Sequence, residues 1–363
     1  MSLVPRVALL GFSALLLIAG DTNPPPLPRD TLPRDFFDLP TPLGLVPKGL
    51  DRIETPATPG APASPVPPVP TDARERELFG LGRRLFFDPL ISADRTVACA
   101  SCHEPEHGFS SPSRFPRGVG GLVADRHSPT LFNREFGNYQ LWDGRARTLE
   151  EQVLLPIEQR NEMGLPIAAA LARLNEDASY RADFARVFAA PATSASLAAA
   201  LAAFVRRLRF GDTAVDRFYA GDAAALTTEE RGGLWIYESK GKCWVCHAGP
   251  NFSDESFHNT GVGVVDGSAE AGRAAITGDE KDRGAFKTPT LRALVLTPPY
   301  MHDGSLATLE AVVEFYRRGG NANAHLDARL APIELSDTEV RDLVAFLRAL
   351  TRQPSKAQET REL

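Results

Sequence analysis

All four cysteines of the chain lie in two short motifs of identical spacing, and each motif ends in a histidine. The motifs are Cys99-Ala100-Ser101-Cys102-His103 and Cys243-Trp244-Val245-Cys246-His247. Two thiols at this spacing can add across the two vinyl groups of a haem, while the imidazole that follows ligates the iron. The pattern therefore predicts two covalently bound c-type haems, with His103 and His247 as iron ligands.

A zinc site is the main alternative, because two cysteine pairs can supply the four thiolates of a tetrahedral zinc ion. That alternative gives no reason for a histidine directly after each pair. A redox-active pair of the thioredoxin type would be expected between a strand and a helix, whereas a helical pattern and a basic turn precede Cys243. Covalent haem is the favoured interpretation, and it leaves no cysteine for a disulfide.

Mostly α-helical elements are predicted to position the two motifs. Apolar residues at helical spacing indicate a helix over residues 73–87 and an alanine-rich helical stretch over 167–210. A Ser/Thr-x-x-Glu pattern, which caps helix N-termini, opens further helices at Thr227 and Ser336. The two cysteine motifs are the only repeat that the sequence shows. The expected fold is mainly α, with two cytochrome c-like haem domains packed together.

The N-terminal segment differs from the rest in composition. Arg6 precedes an apolar run over residues 7–18, which has the length of a signal-peptide core and is too short to span a bilayer comfortably. Half of the 30 prolines fall within residues 21–71, a composition that favours extended chain over long helices. We expect export to the periplasm, with an uncleaved membrane anchor as the alternative.

These observations divide the chain into five parts. They are a signal peptide (1–20), a proline-rich linker or strap (21–71), an N-terminal cytochrome c-like domain (72–215), a C-terminal cytochrome c-like domain (216–352) and a polar tail (353–363). The net charge of −6 argues against nucleic acid and against an anionic membrane surface as partners.

Several further motifs follow the first haem motif in order along the chain. They are Ser128-Pro129-Thr130-Leu131-Phe132-Asn133, Leu141-Trp142-Asp143-Gly144-Arg145-Ala146, Thr148-Leu149-Glu150-Glu151-Gln152, Asn161-Glu162-Met163-Gly164, Phe286-Lys287-Thr288-Pro289-Thr290-Leu291-Arg292 and Pro299-Tyr300-Met301-His302-Asp303-Gly304. Together they resemble the bacterial di-haem cytochrome c peroxidases and their MauG-type relatives, over about residues 78–351. The resemblance implies a peroxidatic haem in the N-terminal domain and an electron-transfer haem in the C-terminal domain.

At the first haem, the resemblance directs attention to the side opposite His103. Glu162 matches the family's distal glutamate, which moves a proton between the two oxygens of peroxide, and Gln152 matches a second polar residue of that pocket. By itself Glu162 would more often be a surface carboxylate, but a water-poor haem pocket would raise its pKa. Many members also carry a histidine that ligates this iron at rest, and its position is Val119 here. Valine cannot ligate iron, and His107 lies too close in sequence to cross to the opposite face, so we expect an iron open to peroxide.

Two residues compete as the sixth ligand of the second iron. Met301 is attractive because methionine often completes the coordination of a c-type haem and raises its potential. In the family the ligand comes one helical segment later, at Tyr316, where MauG-type members carry tyrosine. A phenolate lowers the potential and stabilises high oxidation states, so both irons could share two oxidising equivalents. Tyr316 is the favoured ligand, and His302 and His258 are expected to contact haem propionates or to be plain structural histidines.

Trp142 matches the tryptophan that lies between the haems in this family, where it can relay electrons; core packing is the alternative and is compatible with that role. The family also binds one calcium ion between its domains, through carbonyl groups that map to Thr297 and Pro299 and through an asparagine side chain. That asparagine's position is His127 here. Imidazole is a poor calcium ligand, which argues against the calcium ion in this chain.

The leading functional hypothesis is a di-haem c-type peroxidase that reduces hydrogen peroxide to water. A small exported cytochrome c or copper protein would donate the electrons. The alternative within the family is a MauG-like oxidase that modifies aromatic residues of a partner protein. A non-catalytic di-haem electron carrier belongs to a different class, and Glu162 argues against it.

Overall fold

The computed structural model describes residues 73–351. The predicted signal peptide, proline-rich segment and polar tail lie outside the described residues. The helices are α1 (Ala73–Phe87), α2 (Leu149–Gln152), α3 (Leu155–Glu158), α4 (Ile167–Glu176), α5 (Ala178–Phe188), α6 (Ser194–Arg206), α7 (Ala214–Tyr219), α8 (Thr228–Glu238), α9 (Ala274–Thr277), α10 (Leu309–Arg317) and α11 (Asp337–Ala349). Strands β1 (Phe257–Asn259) and β2 (Ala285–Lys287) pair in antiparallel fashion, with His258 opposite Phe286. The mainly helical fold is as predicted.

The two predicted capping patterns form as expected. At the start of α8, the Thr227 hydroxyl accepts from the amide of Glu230 at 3.2 Å, and the Glu230 carboxylate accepts from the amide of Thr227 at 2.8 Å. Ser336 and Glu339 make the same exchange at the start of α11, at 3.3 and 2.8 Å. Each exchange satisfies two amides that a helix N-terminus would otherwise leave unpaired.

The predicted helical stretch over 167–210 is divided into α4, α5 and α6. Asp177 ends α4 and caps α5, where its side chain accepts from the amides of Ser179 and Tyr180. A left-handed residue, Ala189 (φ 54°), ends α5. Asn175 bonds both the amide and the carbonyl of Ala192 and holds the turn before α6. Side chains that satisfy backbone groups outside the helix therefore interrupt the periodic pattern.

A glycine lets the helix before each haem motif cross a later helix closely. A methyl group added at Gly82 in α1 would lie 1.9 Å from the carbonyl oxygen of Ala200 in α6. A methyl group at Gly233 in α8 would lie 1.9 Å from the carbonyl oxygen of Asp342 in α11. Only glycine permits such backbone approach, so the two haem motifs are held by matching helix pairs.

Buried apolar residues form two clusters along the chain. The first is built from residues of 79–208 together with Ala293, and its large buried side chains include Phe86, Phe184 and Phe204. The second runs from Val215 to Leu350. We refer below to residues 73–213 as the first half and to 214–351 as the second half. The predicted division of the chain after residue 215 stays a prediction.

A buried group of charges joins the two halves. Arg134 of the first half donates to both carboxylate oxygens of Glu255 in the second half, at 2.8 and 3.1 Å. The ammonium group of Lys287 lies 3.6 Å from the same carboxylate. All three side chains are buried. Because a buried charge is costly without its partner, this group favours one arrangement of the halves.

The repeat extends well beyond the cysteine motifs, contrary to the sequence-based expectation. Thr148 caps α2 as Thr308 caps α10, each accepting from an amide three residues later. The turns before these caps also match: Leu141 and Met301 have φ values of 68° and 74°, and the following glycines are left-handed as well. The residues repeat as well, because both segments contain Asp-Gly, three variable residues and Thr-Leu-Glu. The expectation that only the cysteine motifs repeat was therefore wrong for the sequence as well as for the backbone.

Candidate active site

Each haem motif fixes its histidine in the same way. Nδ1 of His103 lies 2.9 Å from the carbonyl oxygen of Phe109, and Nδ1 of His247 lies 2.9 Å from that of Phe252. A carbonyl oxygen only accepts, so Nδ1 carries the ring proton in both. Nε2 of each ring is therefore left as a lone-pair donor, the state that iron ligation requires.

Both imidazoles are neutral in their surroundings. Burial lowers the pKa of His103 and of His247 to about 4, although the hydrogen bonds to the Phe carbonyls act in the opposite direction. Burial likewise raises the pKa of the Cys99 thiol to about 12 and that of Cys243 to about 12. Neutral imidazole and uncharged thiols suit an apolar site made for a haem rather than for a thiolate-bound zinc ion.

The first motif opens onto a cavity of about 330 Å³. Cys99, Cys102 and His103 line one side, and Glu162 and Gln152 line it too. Apolar side chains form much of the remaining wall, among them Phe86, Leu131, Val153, Leu201 and Val205. Two thiols, a free imidazole nitrogen and an apolar wall fit a haem, which these three motif residues would hold. Residues that were predicted to form the first haem site, and that lie far apart in the sequence, therefore line one cavity.

Glu162 reaches this cavity from the turn after α3. Its amide donates to the carbonyl of Gln159 at 2.9 Å, and its own carbonyl accepts from the amide of Val119 at 2.8 Å. Burial raises the pKa of the Glu162 carboxyl, Arg145 opposes the rise and the charge of Asp125 adds to it. A carboxyl group with a raised pKa can both take and return a proton.

Neither position considered for a sixth ligand of the first iron lies on the cavity wall. Val119 is buried and packs towards Gly164. Nδ1 of His107 pairs with Glu104 at 3.1 Å, away from the cavity. When Thr148 is aligned with Thr308, Pro156 of the first half corresponds to Tyr316 of the second half. Pro156 lines the cavity. Proline has no donor atom for iron.

Tyr316 lies at the second motif. It is half-buried near the end of α10. Burial raises the pKa of its hydroxyl, which lies near Cys246 and Cys243. Met301 stands at the left-handed position that matches Leu141, and Leu141 lines the first cavity. The repeat therefore keeps Met301 as an alternative ligand on the second haem.

Trp142 lies where the two halves meet. Its indole N–H donates to the carbonyl of His127 at 2.8 Å, and its ring centre is 6.3 Å from that of His302. The carbonyl of Trp142 accepts from the amide of Lys287 at 2.8 Å. Trp142 also lines the first cavity. Its ring thus contacts the first haem pocket and a side chain of the second half.

Comparison with known proteins agrees with this geometry. Residues 76–224 match the family described as di-haem cytochrome c peroxidase. Methylamine utilization protein MauG of Methylorubrum extorquens is 37% identical over 281 residues, which cover 77% of this chain and 79% of that protein. The chain belongs to the di-haem cytochrome c peroxidase family. It is an oxidoreductase of the cytochrome-c peroxidase type, and the family uses two haems.

Other proteins similar to this chain are named either cytochrome-c peroxidase or MauG-like protein. Cytochrome-c peroxidase IdrP2 of Denitromonas iodatirespirans is 33% identical over 310 residues, which cover 78% of this chain and 83% of that protein. A solved structure of a MauG-like protein associated with microbial copper homeostasis has a TM-score of 0.73 and 34% identity, covering 83% of this chain and 96% of that one. None of the helices within residues 73–351 has both the length and the apolar character needed to cross a bilayer.

The imidazole of His258 lies between two carboxylates. Its Nε2 lies 2.9 Å from Asp254 and its Nδ1 lies 2.7 Å from Asp327. Burial lowers the pKa of His258, but the hydrogen bond to Asp254 acts in the opposite direction, and the pKa lies above its usual value. His258, Asp254 and Cys246 could also hold a metal ion. Cys246 is expected to bind haem covalently, so we interpret the cluster as a charged support of the second haem site.

The family's calcium site does not fit the residues present here. His127 replaces the asparagine, is buried, and has both ring nitrogens engaged, with Ser113 at 3.1 Å and with Ser110 at 3.2 Å. Burial lowers the pKa of His127, so the ring is a neutral imidazole, which calcium disfavours. The hydroxyl of Thr297 donates to the carbonyl of Leu294. No step below depends on calcium.

Sequence reasoning missed several charged residues around the site. Arg145 and Arg126 both line the first cavity, and both pair with Asp143, at 2.7 and 2.8 Å. Arg126 also pairs with Glu270 of the second half at 3.3 Å. Arg145 and Asp143 stand inside a motif that was recognised, but nothing in the local sequence signals their pairing.

Proposed function

We propose that this protein reduces hydrogen peroxide to water at the first haem and receives electrons through the second. One observation carries the proposal: Glu162, with its raised pKa, lines the same cavity as the free face of His103. The chain supplies the two residue types that peroxide cleavage requires, an iron-ligating imidazole and a proton carrier. The relatives named cytochrome-c peroxidase support the same reaction.

The haem, bound through Cys99, Cys102 and His103, supplies an iron that binds peroxide and exchanges electrons. Glu162 takes the proton from the inner peroxide oxygen and delivers it to the outer one, so that the outer oxygen leaves as water. Gln152 provides a polar wall in the same cavity. Two electrons and two further protons then complete the reduction of one peroxide to two waters.

Trp142 is the proposed carrier of electrons between the haems. It lines the first cavity, and its ring contacts that of His302 from the second half. The indole N–H is fixed by the carbonyl of His127, which restricts the ring to one orientation. An aromatic ring held rigidly between two redox centres shortens the distance that an electron must cross.

The electrons come from a small exported redox protein, a cytochrome c or a copper protein, in the proposed pathway. The signal-peptide pattern before residue 20 supports a periplasmic location for this exchange. Covalent attachment of both haems is part of the proposal, because each motif pairs its thiols with a correctly fixed histidine. Haem that stays on the denatured chain after extraction with acidified acetone would support it, and free haem in the extract would contradict it.

A MauG-like oxidase is the second candidate, and Tyr316 favours it. Burial raises the pKa of the Tyr316 hydroxyl, which lies near Cys243 and Cys246 of the second motif. A phenolate ligand stabilises high oxidation states of iron, which would let both haems hold oxidising equivalents for a partner protein. The similarity to proteins named MauG supports this candidate.

Electron paramagnetic resonance of the oxidised protein, before and after one equivalent of peroxide, separates the candidates. We expect one high-spin and one low-spin haem at rest, because the first iron has an open face. Loss of both signals after peroxide would favour the MauG-like oxidase. Loss of the high-spin signal alone, followed by turnover with a reduced small cytochrome c, would favour the peroxidase. Two low-spin haems at rest and no turnover would contradict both and favour an electron carrier.

A further inference from the structure

The side chains of Trp142, His302 and Glu270 form a chain of contacts from the boundary between the two halves towards solvent. The ring of Trp142 lies 6.3 Å from the ring of His302, with the planes at 66°. Nε2 of His302 lies 2.7 Å from the carboxylate of Glu270. The His302 side chain is 5% exposed, whereas that of Glu270 is 39% exposed. A negative charge is thus connected to the tryptophan through one buried imidazole.

The positions of the two rings are tightly fixed. His302 stacks on Phe286 with 3.7 Å between ring centres and 20° between planes. The carbonyl of His302 accepts from the amide of His127 at 2.9 Å, and the carbonyl of His127 accepts from the indole of Trp142 at 2.8 Å. The backbone of His127 therefore holds the Trp142 ring through its indole N–H and holds the backbone of His302. Stacking on Phe286 and the hydrogen bond to Glu270 hold the His302 ring itself.

Glu270 is ionised in this arrangement. Burial raises the pKa of its carboxyl, but the hydrogen bond and charge interaction with His302 and the charge of Arg126 outweigh this, and the pKa lies below its usual value. A carboxylate oxygen only accepts, so Nε2 of His302 carries a proton and points it at Glu270. The imidazole is thereby polarised, with more electron density on the side of the ring that faces away from the carboxylate.

Removal of an electron leaves a positive charge on an indole ring. A nearby negative charge stabilises that cation, and the effect is stronger in a partly buried site than in water. Arg126 limits the effect, because it pairs with both Glu270 and Asp143. Asp143, the residue after Trp142, is buried and also pairs with Arg145, so two arginines compensate its charge. Glu270 is the carboxylate that His302 connects to the indole.

We propose that Glu270, acting through His302, is a positioning residue that stabilises the oxidised form of Trp142 and so speeds electron passage between the haems. One electron leaves Trp142 towards the first haem and one from the second haem replaces it, with no bond made or broken. The inference rests on the proposed relay role of Trp142. It assigns Glu270 to the site although no recognised motif contains it.

The experiment follows oxidation of the second haem after peroxide is mixed with the holoprotein, by stopped-flow absorbance. Glu270→Gln removes the charge and keeps the shape, and we expect the oxidation rate to fall by roughly fivefold to tenfold. Glu270→Asp keeps the charge and should recover most of the rate. Glu280→Gln is the control, because Glu280 is an exposed carboxylate that pairs with Arg283.

Two further readouts separate charge from structure. Haem content and the resting spectra of both haems should be unchanged in Glu270→Gln, and freeze-quenched samples should show less tryptophan-centred radical. A double variant of Trp142→Phe with Glu270→Gln should be no slower than Trp142→Phe alone, because Glu270 acts through the indole.

Each failure has a different signature. If Trp142→Phe leaves the rate of second-haem oxidation unchanged, the relay role of Trp142 is wrong and the inference falls with it. If Trp142→Phe slows the reaction while Glu270→Gln does not, the relay role stands and the role of Glu270 is wrong. Equal slowing by Glu270→Gln with and without Trp142 would also overturn it, since that result indicates a path that avoids the indole.

Discussion

Glu162 has the two properties of a proton carrier, a place on the cavity wall and a raised pKa. We expect Glu162→Gln to slow formation of the first peroxide-derived species by about 100-fold, because an amide cannot accept the peroxide proton. Both haems should stay attached. Stopped-flow absorbance with peroxide measures the rate. The matched control is Glu158→Gln, an exposed carboxylate one turn earlier.

The same rate should depend on pH in a way that identifies the group. Only the ionised carboxylate accepts a proton, and a raised pKa means that acidification removes this form at a higher pH than for an ordinary glutamate, whose pKa is about 4.3. The rate should therefore fall on the acid side, beginning above that value. A profile that is unchanged in Glu162→Gln would remove Glu162 from the mechanism.

Tyr316 and Met301 can be separated by their effect on one haem. We expect Tyr316→Phe to change the spectrum of the second haem and to leave that of the first unchanged, because the phenol lies beside Cys243 and Cys246. Met301→Leu is the matched variant and should change neither spectrum. The opposite pattern would transfer the ligand role to Met301. Low-temperature magnetic resonance of the oxidised variants distinguishes these results.

At the scale of elements, the loop that carries Val119 holds the turn that carries Glu162. A methyl group added at Gly118 would lie 2.3 Å from the carbonyl oxygen of Asn161 and 2.4 Å from that of Glu162. The backbone at Gly118 (φ −90°) suits alanine, so the obstacle is contact alone. A loop pressed this closely against the turn fixes where the Glu162 carboxylate lies.

Gly118→Ala should therefore displace Glu162 and slow its reaction with peroxide, by about tenfold, since small displacements of catalytic groups are costly. The resting spectra of both haems should change little. Gly80→Ala is the control, because Gly80 lies on the exposed face of α1 with open space around its Cα. A rate equal to that of the unmodified protein would show that the loop does not position Glu162.

At the scale of the whole molecule, the charge group of Arg134, Glu255 and Lys287 joins the halves. Burial lowers the pKa of Lys287 to about 8, although Glu255 acts in the opposite direction. Glu255→Gln leaves two buried cations without their anion, and we expect it to lower the free energy of unfolding by about 3–5 kcal/mol. Thermal unfolding of the holoprotein measures the loss.

A surface ion pair provides the comparison for that prediction. Glu310 pairs with Arg348 at 2.8 Å, and both side chains are more than half exposed. Glu310→Gln should therefore change the free energy of unfolding by less than about 1 kcal/mol. Equal effects of the two substitutions would mean that the buried group does not hold the halves together.

The sequence by itself determined the features that depend on neighbouring residues. The spacing of the thiols and the histidine in each motif is local, so haem attachment could be predicted before any fold was known. The helix starts at Thr227 and Ser336 were predicted for the same reason, because a capping side chain reaches only three residues along the chain. The resemblance of several motifs added the residues Glu162, Trp142 and Tyr316.

Only the tertiary structure decided which distant groups act together. The contact of Trp142 with His302, and of His302 with Glu270, requires both halves to pack against each other. The positive φ values at Leu141 and Met301 belong to the folded turns, since neither residue type favours that conformation by itself. Burial set the pKa of Glu162, and the engaged nitrogens of His127 argue against calcium. Packing of distant segments fixes these properties, and residue spacing along the chain carries no direct record of it.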